Sequence, residues 1–402
     1  MLDFDDAQQR LMGAAIPPST TERVHLADAL GRVLAHDLVA LIDIPPADNS
    51  AMDGYALRFA DYDAERTLPV QPAAYAGDVP EALKPGHAMR LFTGSLIPDD
   101  ADTVVIQEEC ELDDKQALRI LNPPTKGQHV RYQGEDMAQG RTILYAGTLL
   151  SSGHVAMLAA QGMAELEVFP KPKIGILTTG NELVAPGTPL KAGQIYNSNA
   201  PMLAALVEQM QAVVHRSVQA QDELPAIQEA LQQLTQECDL VLTVGGVSVG
   251  DKDLVKPAIE AAGGSMNLWR VKMKPGKPVA LAHLNDTPIV GLPGNPVSAY
   301  AVFILMVSPL LRALQGRTEL CPPIHHFPLG GEQRFLGWRE DFLRTRLQAN
   351  ATGQLEAVPH SQQFSNIINS LGWASGLARI PADVDTGPGD QVAFYDFNLW
   401  AY

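Results

Sequence analysis

The chain has 402 residues, too many for one ordinary core and suited to two to four domains. Hydrophobic residues make up 46% and charged residues 19%, a globular composition, and 29 Lys and Arg against 46 Asp and Glu leave a net charge of −17. An acidic surface repels phosphate backbones and anionic lipid, so no nucleic-acid or membrane partner is expected, and an anionic ligand needs a local cationic pocket. The first 40 or so residues read as alternating helical patterns with a turn at Gly31. Residues 44–55, rich in Pro, Asp, Asn and Gly, suit neither a long helix nor a long strand. From Val70 to Leu150, short apolar runs between Gly, Pro and Asp predict a β-rich region, and 153–162 a short helix leading out of it.

At Lys171 the texture changes. Strands at 173–179, 213–218 and 239–244 and near Val279 and Ile289 alternate with helices at 200–210, 225–235 and 254–262 and a long one from Pro296. Such alternation predicts an open, doubly wound α/β sheet covered on both faces. Beyond Cys321 the pattern returns to short strands with Gly and Pro turns, a small C-terminal β domain. Cys110, Cys238 and Cys321 show no ligand spacing, which excludes a zinc site or disulfide framework and suits a reducing compartment. The N-terminus is acidic where a signal peptide needs base, so cytosol is expected. The longest apolar stretch, Ala299 to Leu311, is interrupted by Ser308 and Pro309 and reads as too short to cross a bilayer.

Ligands of open α/β sheets bind at the carboxyl ends of the strands. The loops expected there are Thr178–Leu183 and Gly245–Asp253. Gly245 and Gly246 permit close backbone approach, and a loop entering a helix aims free N–H groups at an anion. Tight capped turns would account for the glycines alone, but not for Glu182, Asp251 and Asp253 at the same edge. Acids beside an anion-binding loop repel its ligand unless a divalent cation bridges them, which points to Mg²⁺. Arg270, Lys272, Lys274 and Lys277 place four cations in eight residues, where the chain average is about 0.6. Alternation puts 270, 272 and 274 on one face of a strand, and the Pro275-Gly276 turn presents Lys274 and Lys277 to phosphate or oxyanion. Residues 291–298 form a rigid turn into the helix starting at Pro296, with Asn295 as its cap and Ser298 in its first turn. Asp53, Thr93 and Asp136 lie in turns of the β-rich region, and singly each is only a turn residue. No Ser/His/Asp or Cys/His pattern, Walker loop or His cluster is present.

In one order the chain carries Asp48–Ala56 (DNSAMDGYA), Phe92–Gly94 (FTG), Val130–Asp136 (VRYQGED), Thr179–Leu183 (TGNEL), Gly245–Gly250 (GGVSVG), Lys274–Pro278 (KPGKP) and Gly291–Ser298 (GLPGNPVS). As a set these closely resemble the MoeA family of molybdenum insertases, which includes the gephyrin E domain, from near residue 20 to about 315 and more weakly to the C-terminus. The resemblance implies an elongated homodimer with four domains per chain. These are a linking domain (1–45 with 146–170), a β-rich inserted domain (46–145), a central α/β/α molybdopterin-binding domain (171–320) and a C-terminal β domain (321–402). It implies that molybdenum from molybdate enters adenylylated molybdopterin with release of AMP, an adenylyltransferase of the pathway supplying the intermediate. Catalytic roles then fall on Asp53, Thr93, Asp136, Glu182, Lys274 and Lys277, and Mg²⁺ on Glu182, Asp222 and Asp253. Substrate contacts fall on Gly245, Gly246, Ser248, Arg270, Pro293, Asn295, Pro296, Ser298, Arg344 and Ser365. The cleft is expected between the α/β domain of one subunit and the inserted domain of the other. Asn181 stands where the family usually has Asp, and Arg270 where it often has Lys. A molybdopterin adenylyltransferase, which typically lacks the insertion and the last domain, and a gephyrin-like scaffold are the competing readings.

Overall fold

The computed structural model describes residues 1–246 and 253–401. Its first 40 residues hold one α-helix, Phe4–Met12, where helical patterns were expected throughout. That helix buries Phe4, Ala7 and Leu11, one stripe at helical spacing. Gly13 caps its end, its N–H donating to the Gln9 carbonyl, and beyond Pro17-Pro18 Glu22–His25 and Val33–Leu34 become strands flanking Glu165–Phe169 in one antiparallel sheet. Segments before and after the insertion therefore close the same sheet. The helix Ser152–Ala160 begins with a reciprocal Ser151–His154 capping box.

Gln161, just past that helix, is 2% exposed. Its Oε1 accepts from the backbone N–H groups of Leu41 (2.7 Å) and Ile42 (3.1 Å), and its Nε2 donates to the Ile42 carbonyl (3.2 Å). One side chain thus fixes the segment that leads from the strand Leu38–Val39 into the insertion. Gln161→Leu leaves two amide donors unpaired and should lose about 2 kcal/mol of local stability. Faster amide exchange over residues 40–44 would register it; unchanged protection would show these bonds to be dispensable.

The β-rich region is a six-stranded sheet in the order Thr103–Ile106, Gly54–Leu57, Ala88–Leu91, Leu68–Ala74, Ala117–Ile120, Cys110–Leu112, with a separate ribbon pairing Asn49–Ser50 and Val130–Arg131. Alternating residues bury on opposite faces: Ala56, Met89, Leu91 and Val104 in one cluster, Leu57, Ala88 and Val105 in another.

The α/β sheet runs in the order Val213–Ala220, Lys173–Thr179, Leu240–Val244, Thr287–Leu292, Pro278–Leu284, Ser265–Arg270. The first four strands are parallel; Pro278–Leu284 is antiparallel to both of its neighbours, so Ser265–Arg270 at the edge again runs with the first four. The reversal follows from Asn285 and Asp286, whose φ values of 52° and 63° form a two-residue hairpin turn. Helices cover both faces. Leu203, Leu206 and Val207 of Asn199–Gln209 pack on one side, with the helix from Pro296. Ile227, Leu231 and Leu234 of Leu224–Glu237 pack on the other, with Val255–Ala261.

The helix from Pro296 corrects the reading of the apolar stretch. Pro296–Val302, a π-helical turn Phe303–Val307 and Ser308–Leu314 follow one another without a break. The 19 residues have a mean hydropathy of 1.9, long and apolar enough to cross a membrane, but 89% buried inside the protein. The π turn accommodates the N–H that Pro309 lacks. The length argument fails, and burial identifies a core helix.

The C-terminal sheet runs Met273–Lys274, Glu340–Ala349, Gly376–Ile380, Gln391–Asp396, His325–Pro328, with Leu355–Pro359 paired to Glu340–Ala349. Leu343, Ala378 and Phe394 form its own cluster, while Phe342, Leu377 and Tyr395 alternate onto the main core. Its first strand is borrowed from the cation-rich segment 270–277. The three cations expected on one strand face are therefore divided. One strand ends at Arg270, Lys272 pairs with Asp383 (3.5 Å), and Met273–Lys274 runs parallel to Glu340–Asp341.

Candidate functional site

Four parallel strands end together: Thr179 pairs with Ala220, Thr178 with Val244, and Val244 with Leu292. Neighbouring strands lie about 4.8 Å apart, so the loops after them share one edge. The chain leaves Lys173–Thr179 toward one side and returns on the other as Leu240–Val244, so the switch point, where α/β ligands bind, falls between these two strands. A cavity of about 540 Å³, lined by Pro17, Lys173, Asp239 and Thr287, lies at the opposite, amino-terminal edge. The sheet's polarity sets it apart from this site.

At the switch point Gly245 and Gly246 have φ of 88° and 65°. A Cβ on Gly245 would meet the Thr179 carbonyl oxygen at 2.9 Å, and one on Gly246 would meet Val255 Cγ2 at 2.7 Å. Only glycine fits there, and the backbone lies open to a ligand. Gly294 of the 291–298 turn is next to it, 3.9 Å from the Gly245 Cα to an added Cβ. The exposed Glu182 carboxylate folds back over Gly180. Asn181 and Asp222 clasp each other: the Asn181 N–H donates to Asp222 Oδ2 and the Asp222 N–H to Asn181 Oδ1, both at 3.1 Å. Asp253 is half-buried just before Val255–Ala261. Among the described residues no three His, Cys, Asp or Glu side chains are close enough to hold a metal by themselves. Ser248 and Asp251 lie outside the described residues.

The 291–298 turn reaches the C-terminal domain. Pro293 is buried and Pro296 opens the helix. Asn295 occupies the cap position but makes no side-chain cap bond; its Nδ2 donates instead to Ser365 Oγ at 2.9 Å, which corrects the expected cap. Ser298, in the first turn, is 6% exposed and so presents little hydroxyl surface to a ligand. Asn199, which no motif signalled, donates to the Gly294 carbonyl at 2.8 Å. The Asn-Ser-Asn run before its helix reads locally as capping residues only.

Lys274 Nζ pairs with Asp341 Oδ2 at 2.7 Å; Asp341 is 15% exposed. Burial pushes the Asp341 carboxyl above its usual range, and Lys274 counters part of that rise. Lys277 lies near the Trp338 ring, Nζ 5.9 Å from its centroid. Arg270 is exposed at the end of its strand, paired in register with Pro278. Arg344 is 0% exposed and donates to Ser370 Oγ and the Phe364 carbonyl, while its Nη1 has no partner. Burial draws its pKa down to about 10. The guanidinium thus lies beneath the loop carrying Ser365, where an oxyanion contact would have placed it at the surface.

In the β-rich sheet Asp53 Oδ1 accepts from the Thr93 N–H (2.8 Å) and Thr93 hydroxyl (2.9 Å). These bonds, with Arg90 nearby, hold the Asp53 carboxyl below its usual range, so it stays ionised. Asp136 is exposed, its N–H bonded to the Ile44 carbonyl at the base of the insertion. Three groups of residues result: the acidic and glycine edge, the cationic segment with the C-terminal domain, and the Asp53–Thr93 pair with Asp136 on the insertion.

Comparisons with known proteins identify the family. Models of the MoeA N-terminal region (domains I and II), a probable molybdopterin binding domain and the MoeA C-terminal region (domain IV) match residues 2–162, 175–313 and 334–397. Similar relatives include the molybdopterin molybdenumtransferases of Haemophilus influenzae, 35% identical over 92% of each chain, and of Nostoc sp., 37% identical over 90% of this chain and 85% of that one. The molybdopterin biosynthesis MoeA protein of Pyrococcus horikoshii OT3 superposes with a TM-score of 0.84 at 30% identity, covering 98% of this chain and 99% of the other. With three successive regions matched in order and relatives aligned almost end to end, this chain belongs to the MoeA family of molybdopterin molybdenumtransferases.

Proposed function

We propose that this chain transfers molybdenum from molybdate to molybdopterin, taking the adenylylated form and releasing AMP, as a cytosolic homodimer supplied by the pathway's adenylyltransferase. The observation that carries the reading is the switch-point edge. Glycine backbone at 245 and 246, open to a phosphate, adjoins Glu182, Asp222 and Asp253 and meets the 291–298 turn. The four domains divide at the boundaries given above. The three free cysteines suit a reducing compartment.

The hard oxygen donors at this edge fit Mg²⁺, which uses one or two carboxylates with water and substrate phosphate rather than a closed protein cage. Glu182, Asp222 and Asp253 would hold it, the Asn181 N–H orienting the Asp222 carboxylate. Bound there, it would neutralise charge on the phosphoanhydride. Lys274 and Lys277 hold the molybdate dianion, with Arg270 adding positive potential. A molybdate oxygen attacks the adenylyl phosphorus as the anhydride P–O bond breaks, the bridging oxygen staying on the molybdopterin phosphate. The dithiolate sulfurs then form Mo–S bonds as the Mo–O bond to the adenylyl group breaks, and AMP leaves carrying that oxygen. Asp53 and Asp136 approach from the partner subunit. Purified protein should release AMP from adenylylated molybdopterin only when molybdate is supplied; release without molybdate would sink this reading.

Lys274 provides a sharper test, modified by its structural pairing. Lys274→Ala alone leaves the Asp341 carboxylate buried without its cation, which is itself destabilising. The double variant Lys274→Ala with Asp341→Asn removes that liability. Its affinity for molybdate, measured by calorimetry, should fall tenfold to a hundredfold, the equivalent of about 1.5–3 kcal/mol for a charge-assisted contact. Lys272→Ala, whose partner Asp383 is exposed, should change it little. Equal small effects would return the segment to a solvated edge.

A further inference from the structure

Beside Lys274, residues 334–341 of the C-terminal domain enclose a cavity of about 230 Å³ whose walls include Arg334, Leu336, Trp338, Arg339 and Asp341. Trp338 is 54% exposed and Leu336 70%. Arg339 Cζ lies 4.8 Å from the Trp338 ring centroid, and its Nη1 is tied to the Met273 carbonyl at 3.3 Å. Lys277 Nζ, at 5.9 Å, is at the outer limit of a cation–π contact. Arg334 is paired with Asp385 and Lys274 with Asp341. Counting Lys272 with its partner Asp383, and Asp390 beside Arg334, five cations face four carboxylates, a small local positive excess in a chain of net charge −17.

A tryptophan 54% exposed leaves apolar area in water, which its cation–π contact with Arg339 offsets only in part. A flat aromatic ring system bearing phosphate uses both the ring and the cations: its π-face stacks on indole and its phosphate meets the ammonium and guanidinium groups. The proposed substrate carries two such systems, a pterin and an adenine, each joined to phosphate.

We propose that Trp338 is a substrate-binding platform on which one planar nitrogen heterobicycle of the substrate stacks, with Lys277 and Arg339 directing its phosphate toward Lys274. The proposal rests on the molybdenumtransferase reading of the same site. It assigns a specificity role to a residue none of the recognition motifs contains.

The test uses the intact chain and two probes, AMP and a pterin monophosphate, each titrated while following tryptophan fluorescence. One of the two should quench the wild type, which tells adenine from pterin. Trp338→Phe should abolish most of the quench yet keep most of the affinity, because phenylalanine still stacks. Trp338→Ala should weaken the same probe on the order of tenfold while leaving molybdate affinity unchanged. Equal affinities for both probes in wild type and Trp338→Ala overturn the proposal. So does a Trp338→Ala protein whose only defect is a changed sedimentation coefficient, since the ring would then serve contact between copies. Molybdate-dependent AMP release, assayed separately in the wild type, tests the underlying function. Its absence alongside a Trp338-dependent quench would sink that function while keeping the platform.

Discussion

Glu182→Gln should reduce molybdate-dependent AMP release on the order of a hundredfold or more while altering stability by no more than about 0.5 kcal/mol. The contrast follows from the position of the side chain. Glu182 is exposed, and among the described residues its carboxylate makes no hydrogen bond or ion pair, so folding derives nothing from its charge. The backbone around it is held independently, by the Leu183 N–H to the Gly180 carbonyl and the Ile195 N–H to the Glu182 carbonyl. Glutamine keeps the shape and removes only the charge that would face a divalent cation beside the substrate phosphates. Activity followed against Mg²⁺ concentration decides the matter. If Glu182 is a ligand, the variant's half-saturating Mg²⁺ rises and high Mg²⁺ restores part of the rate. A variant as fast as wild type at limiting Mg²⁺ would remove Glu182 from the metal site.

Mixing two inactive proteins, Asp53→Ala and Asp253→Ala, should recover about a quarter of wild-type activity. Random exchange makes half of the dimers mixed, and each mixed dimer has one site free of both changes. The expectation comes from where the structure keeps these groups. Asp53 is fixed by Thr93 within the β-rich sheet, and Asp253 precedes a helix of the α/β sheet. A site drawing both from different chains is restored by exchange, whereas a site within one chain cannot be. Mass spectrometry should first establish that mixed dimers have formed. No activity in demonstrated mixed dimers would place all the catalytic groups on one chain.

The gathering of loops at the switch point was legible because it depends on local signals. Strand and helix periodicities alternate from Lys173 onward, and parallel strands order their carboxyl ends automatically, so Gly180, Gly245 and Gly294 had to share an edge. The hairpin at Asn285-Asp286, which joins the strands near Val279 and Ile289, was not anticipated by the alternating α/β reading, and it reverses Pro278–Leu284 in the sheet. The first 40 residues misled because their apolar spacing fits a helix, while their true partner, Glu165–Phe169, lies beyond an insertion of about a hundred residues. Ser308 and Pro309 interrupt the apolar stretch in sequence, yet the helix from Pro296 runs on through a π turn to Leu314, so its length exceeds that of the stretch.

What sequence determined by itself was chemistry and local geometry: which loops need glycine, where acids and bases gather, and the ordered motifs that mark the family. The tertiary structure alone decided the partners. Lys274 meets Asp341 because Met273–Lys274 joins the sheet of another domain, and Asn295 turns from its own helix to Ser365. Arg344 goes beneath its loop, and Trp338 stands beside Lys277. Periodicity and turn propensity act over a few residues, so they are written in the neighbouring sequence. Pairing across 60 or more residues is chosen by the burial of whole domain faces against one another, and no single segment encodes that energy.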